Sequence, residues 1–111
     1  MEITSNQFKY CDLVKVAGRI DSATAPQLGE VFSAITDSGR FKIVLDMSKL
    51  NFISSAGLRV LINTQKTCKR YNRGELILSE VPGNVKAALE LAGFTALFKI
   101  VDDTLTAVGN L

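Results

Sequence analysis

The sequence predicts an α/β fold: a small mixed β-sheet of four or five strands covered by about four α-helices, in one domain spanning residues 1–111. Three observations lead there. The chain has 111 residues and 47% of them are apolar, enough to bury one core without staples and too many for a disordered chain. From Phe41 onward, short runs of Ile, Val and Leu alternate with longer stretches whose apolar residues recur at helical spacing. That alternation needs crossover connections, and hence mostly parallel strands. The first two strand candidates are separated only by a short turn around Tyr10-Cys11, which suits an antiparallel pair.

The elements follow in order. Glu2 to Lys9 carries the β-formers Ile3, Thr4 and Phe8, and Asp12 to Ala17 carries Leu13, Val14 and Val16, with Gly18 as its expected end. Thr24-Ala25-Pro26-Gln27 has the residues of a capping box, and Leu28, Val31, Phe32 and Ile35 then form one helical stripe closed by Gly39. Phe41 to Met47 contains Ile43-Val44-Leu45, an unbroken apolar run that predicts a central strand buried on both faces. Asn51-Phe52-Ile53-Ser54 reads as a connector into the longest helix, Ser55 to Tyr71. Its buried stripe is Gly57, Leu61, Thr64, Cys68 and Tyr71, and Arg59, Asn63, Lys66, Arg70 and Arg73 lie opposite, with Gly74 as the stop. Glu75 to Ser79 gives the next strand. A helix opens at Pro82, with Val85, Ala88, Leu89 and Ala92 on one face and a Gly93-Phe94 end of Schellman type. Leu97 to Val101 is the last strand, and Asp102-Asp103 begins a short final helix.

Composition removes much chemistry. There is no histidine, so Ser-His-Asp and Cys-His nucleophiles, histidine acid–base catalysis, histidine phosphotransfer and His-ligated zinc are excluded. Cys11 and Cys68 have neither CxxC nor metal spacing and read as two reduced thiols of a cytoplasmic protein. The net charge of +2 argues for no nucleic-acid partner, and the basic stripe on the long helix has the commoner fate of a solvated face. The glycines form neither GxGxxG nor a P-loop, the aspartates are scattered, and no cofactor or metal is expected. The first residues lack the pattern of a signal peptide, and no apolar run is long enough to cross a membrane. The expectation is a non-enzyme.

Two loops at the carboxyl ends of strands, where open α/β sheets meet ligands, stand out. In Gly18-Arg19-Ile20-Asp21-Ser22, Asp21 is either an Asx-type turn residue, its commoner role, or a charged contact for a partner. In the loop leading to Leu58, Ser54 and Ser55 stand at a helix N-terminus. The commoner role there is an N-cap; the alternative is phosphorylation, where the phosphate would gain the helix dipole and unpaired N–H groups. Gly57 either lets a partner approach or packs the helix tightly on the sheet.

The segment Ile43-Val44-Leu45-Asp46-Met47-Ser48, followed by Leu50-Asn51-Phe52-Ile53-Ser54-Ser55-Ala56-Gly57-Leu58, resembles the signature of STAS domains, and more narrowly that of bacterial anti-sigma factor antagonists. The resemblance extends to Gly18-Arg19-Ile20-Asp21 and to Leu91-Ala92-Gly93-Phe94 before Phe98-Lys99-Ile100. It implies a protein that binds an anti-sigma factor, often a serine protein kinase, and so frees a sigma factor. The kinase releases it by phosphorylating the serine that opens the long helix, and a PP2C-type phosphatase reverses this. By motif position that serine is Ser55, and the implied partner surface is Asp21, Ser54, Ser55, Gly57 and Leu58. Many antagonists carry Asp before the serine; Ser54 here leaves a second hydroxyl as the alternative site. The same resemblance admits another role, a non-switching subunit of a lipid-transport complex or a stressosome-like scaffold.

Overall fold

The computed structural model describes residues 1–70 and 73–109. Five strands, β1 (Glu2–Gln7), β2 (Asp12–Ile20), β3 (Lys42–Ile53), β4 (Glu75–Ser79) and β5 (Lys99–Val101), form one sheet in the spatial order β1-β2-β3-β4-β5. β1 runs antiparallel to β2, and every later neighbour is parallel, as the short first turn and the later crossovers predict. The helices are α1 (Ala25–Asp37), α2 (Ser55–Lys69), α3 (Gly83–Leu91) and α4 (Thr104–Gly109). A single 3-10 turn at Thr95–Leu97 takes the start of the expected last strand, so β5 is shorter than the sequence suggests.

The core has two layers because β3 is central. Ile43, Leu45 and Met47 face a large cluster with Leu28 and Phe32 of α1, Leu61 and Cys68 of α2, and Val85 and Leu89 of α3. Val44 faces the other way, into a small cluster with Leu13, Ile77 and Ala107 of α4. Each buried aliphatic side chain contributes about 1.5–3 kcal/mol, so the larger cluster dominates stability. α1 and α3 both end as Schellman motifs: Gly39 N–H bonds the Thr36 carbonyl and Arg40 N–H that of Ile35, and Gly93 N–H and Phe94 N–H bond those of Glu90 and Leu89.

Two strand ends differ from expectation for one reason. β2 continues past Gly18 to Ile20, and β3 continues through the expected connector to Ile53. Lys15 and Ala17 pair with Asp46 and Lys49, and Gly18 and Arg19 pair with Leu50 and Phe52, so β3 carries one extra residue at each of two bulges. The inward residues of β3 therefore become Met47, Leu50 and Ile53, spaced by three rather than two. A period-2 reading loses the strand at that point. Gly18 sits at the second bulge with φ +96°, a backbone state that glycine adopts without strain. In α2, Tyr71 of the expected stripe lies outside the described residues, and the helix closes at Arg70 rather than at Gly74. Ala92 caps α3 and is exposed instead of joining its buried face.

Candidate functional site

The carboxyl ends of β2 and β3 lie side by side, and the backbone stitches them together. Ser54 N–H donates to the Ile20 carbonyl at 2.8 Å, one residue before Asp21. On the other flank, the Asn84 side-chain amide at the start of α3 donates to the Asn51 carbonyl at 2.7 Å. The segment that carries the two serines is thus fixed by hydrogen bonds from both sides.

The two serines have different surroundings. Ser54 is half-buried with extended backbone and is the N-cap of α2; its hydroxyl accepts from Gly57 N–H at 3.2 Å. Ser55 is the first helical residue, is exposed, and its hydroxyl makes no hydrogen bond with any described residue. The commoner role of an N-terminal serine is therefore filled by Ser54, and the Ser55 hydroxyl takes no part in the cap. Ser55 also stands where the dipole of a 15-residue helix and its unpaired N–H groups favour added negative charge.

Gly57 sets the height of this turn. A Cβ there would lie 2.7 Å from both Ile20 Cγ2 and Ile53 Cγ1, the last residues of β2 and β3. The helix can start directly on the strand ends only because the position has no side chain. Gly57 and Leu58 are buried, with Leu58 in the main core, so they support the surface from beneath rather than form it. Of the expected partner surface, these two residues therefore lie beneath the exposed layer. Asp21 and Ser54 are half-buried and Ser55 is exposed, so the structure brings these three together at the surface.

Asp21 acts first as a turn residue. Its Oδ1 accepts from the N–H groups of Ala23 and Thr24, both at 3.0 Å, and its carbonyl receives Ala25 N–H at the start of α1. The expected capping box does not form: Thr24 has helical φ and ψ, and its hydroxyl accepts from Asp21 N–H at 2.8 Å. Its single hydrogen is shared between the Arg19 carbonyl and Asp21 Oδ1. The bonds from the Thr24 N–H and hydroxyl hold the Asp21 carboxyl below its ordinary pKa, with smaller help from Ala23 N–H and the Arg19 charge. Asp21 is therefore a fixed negative charge beside the serines at neutral pH.

Sequence reading missed Arg19 and Phe52. They are register partners, the Arg19 guanidinium lies 4.4 Å from the Phe52 ring centroid, and the ring is 38% exposed. The signal was an aromatic residue three positions before Ser55, in the expected connector. Cys11 and Cys68 are buried free thiols, and burial pushes the Cys68 thiol up to about 11, which removes it as a nucleophile. Among the described residues no group of three His, Cys, Asp or Glu could hold a metal ion, and no helix is long and apolar enough to cross a membrane.

The comparisons agree with this geometry. The family model of the STAS domain matches residues 5–107. BtrV of Bordetella bronchiseptica, which bears the name of an anti-sigma factor antagonist, is 33% identical over 102 residues, covering 92% of this chain and 87% of that protein. Among solved structures, an anti-sigma factor antagonist from Thermotoga maritima superposes with a TM-score of 0.89 at 21% identity, covering 97% of this chain and 92% of the other. The anti-sigma factor antagonist SpoIIAA superposes in its unphosphorylated form with a TM-score of 0.83 at 14% identity, covering 98% and 95%. The phosphorylated SpoIIAA of Bacillus gives 0.78 at 13% identity, covering 98% of both chains. At those identities the three structural likenesses speak for the fold, and the family model and the sequence match speak for the kinship. The chain belongs to the STAS domain family and stands among its anti-sigma factor antagonists.

Proposed function

We propose that this chain is a phosphorylation-switched binding module without catalytic activity of its own. It binds an anti-sigma factor that is also a serine protein kinase through the surface around Asp21, Ser54, Ser55 and Phe52. It lets go when Ser55 is phosphorylated, and a PP2C-type phosphatase resets it. In this reading the chain works in the cytoplasm as a single STAS module.

The observation that carries the reading is the division of labour between Ser54, spent as the cap, and Ser55, exposed and unbonded on a segment held from both sides. A phosphate on Ser55 brings about −2 charge and would take the chain from +2 to about zero. The helix dipole favours the phosphate by about 0.3–1 kcal/mol, so the modified chain keeps its fold. The cost falls on the partner instead, which must desolvate the phosphate next to the fixed charge of Asp21. That SpoIIAA, with the same fold, exists in a phosphorylated form supports the idea.

The test is intact-mass and peptide mass spectrometry after incubation with ATP and the kinase, together with calorimetric titration of the kinase. One phosphate on Ser55 is expected. Ser55→Asp should lose about 3 kcal/mol of affinity, about a hundredfold, while Ser55→Ala binds and is not modified. Phosphate on Ser54 alone, or full affinity of Ser55→Asp, would overturn the switch. Binding with no phosphate on either serine would favour the scaffold role.

A further inference from the structure

We propose that the opposite, amino-terminal end of the sheet is a second docking site, one that takes an acidic polypeptide segment. The inference stands independently of the Ser55 switch. The starts of β2, β3 and β4 converge there around a hollow of about 270 Å³, lined by Lys9, Tyr10, Asp12, Arg40, Phe41, Lys42 and Arg73 with the backbone of Cys11 and Gly39.

Charge is concentrated at this end. The lining holds four cations and one carboxylate, a net +3, while the whole chain carries +2; every other residue together therefore sums to −1. The aromatic rings stand between the cations. Lys9 Nζ lies 5.3 Å from the Tyr10 ring centroid and the Arg73 guanidinium 5.8 Å from that of Phe41. Tyr10 is 62% exposed, and its neighbour Phe8 is 44% exposed. Exposed aromatic rings among arginines are the composition of protein-binding surfaces. Reading the basic stripe of the long helix does not reveal this arrangement, because it draws on three separate segments.

The geometry selects the kind of anion. Arg40, whose planar fork could grip a compact phosphate, is already used: Nε pairs with Asp12, and Nη2 donates to the carbonyls of Phe8 and Cys11. The other cations, Lys9, Lys42 and Arg73, come from three different segments, the β1–β2 turn, the start of β3 and the approach to β4, and are exposed. Cations spread in this way match carboxylates strung along a chain. The hollow is concave, so a flat bilayer of anionic lipid would touch its rim alone, whereas a side chain projecting between acidic residues enters it.

The probe is a fluorescein-labelled decapeptide rich in glutamate with one central tyrosine, titrated with the full chain by fluorescence anisotropy. Binding is expected that weakens with salt. It should fall at least about tenfold in Lys9→Glu/Lys42→Glu/Arg73→Glu. Lys15→Glu/Lys49→Glu/Lys86→Glu, which reverses as many exposed charges elsewhere, should keep it within about twofold. Tyr10→Ala leaves the charge untouched and should also weaken binding, with unchanged circular dichroism reporting an intact fold. Equal loss in the two triple variants would reduce the effect to net charge and overturn the site. So would an unbound peptide, or displacement of the peptide by inorganic phosphate or by phosphatidylglycerol vesicles at matched charge concentration.

Discussion

The two ends of the sheet use the same parallel strands in opposite ways. At the carboxyl end the polar groups are mostly spent on the backbone: Ser54 on Gly57 N–H, Asp21 on the turn into α1, Asn84 on the Asn51 carbonyl. What remains at the start of α2 is the neutral hydroxyl of Ser55, on a fixed support. At the amino end the strand starts are tied by a charged side chain, Arg40, and permanent cations are left over around a hollow. In the proposed reading one end changes its charge by a covalent step, while the other works through permanent cations. A molecule with a variable end and a constant end can release one partner while it holds another, so the ends should respond to different perturbations.

The largest stability effect belongs to the amino end. Arg40→Ala leaves the Asp12 carboxylate, 5% exposed, without its cation, and removes the side-chain bonds to the carbonyls of Phe8 and Cys11 in the β1–β2 turn, of which the Cys11 carbonyl keeps the Phe8 N–H. Because the Arg40 side chain is itself 25% exposed, the loss is discounted from the range of a fully buried pair to about 2 kcal/mol. Urea unfolding should show it, while the rate of Ser55 phosphorylation by the kinase stays at the wild-type value. A loss under about 0.5 kcal/mol would mean that the pair does not hold this end together.

At the carboxyl end, Ser54→Ala removes the cap of α2 and should cost about 1 kcal/mol, and Ser54→Asp should restore it, because a carboxylate caps as well as a hydroxyl. Mass spectrometry of Ser54→Ala should still place the phosphate on Ser55. Loss of modification in that variant together with retained stability would reverse the roles assigned to the two serines.

Sequence patterns reported the parts of the molecule that keep a regular period. Ile43-Val44-Leu45 announced the central strand, and the stripe Leu28, Val31, Phe32, Ile35 announced α1. Gly39 and Gly93 marked helix ends because both sit where Schellman bonds close. The pattern failed where bulges break the period, so the second half of β3 looked like a connector and Phe52 looked like a loop residue. It also failed where one side chain had two possible partners: Thr24 could cap α1 or bind Asp21, and only the path of the chain after Ile20 decides between them. Most of the candidate site was legible because Ser54 to Leu58 are contiguous and Asp21 stands in a short loop of its own, whereas the Arg19–Phe52 pair was not. The amino-end hollow was not, because its lining comes from residues 9–12, 39–42 and 73, which only the parallel register brings together.

The smallest expected effect is the most specific test of how the variable end is held. The Asp21 carboxyl has a lowered pKa in the folded chain because it accepts from the Thr24 N–H and hydroxyl and from Ala23 N–H. Unfolding breaks those bonds and returns the group to its ordinary value of 3.8. The stabilisation is therefore fully present above 3.8 and is lost as pH falls through the depressed folded value, where the carboxylate takes up a proton. Asp21→Asn keeps the shape and the turn-forming carbonyl oxygen but does not titrate. Its urea midpoint should lie slightly below that of the wild type at pH 7, and the gap should shrink as the pH is taken down through the depressed folded pKa, where the Asp21 carboxyl takes up its proton. A gap of the same size above and below that pKa would show that the turn depends on the shape of the side chain and not on its charge. The negative charge that a phosphate on Ser55 would meet would then play no part in holding the loop.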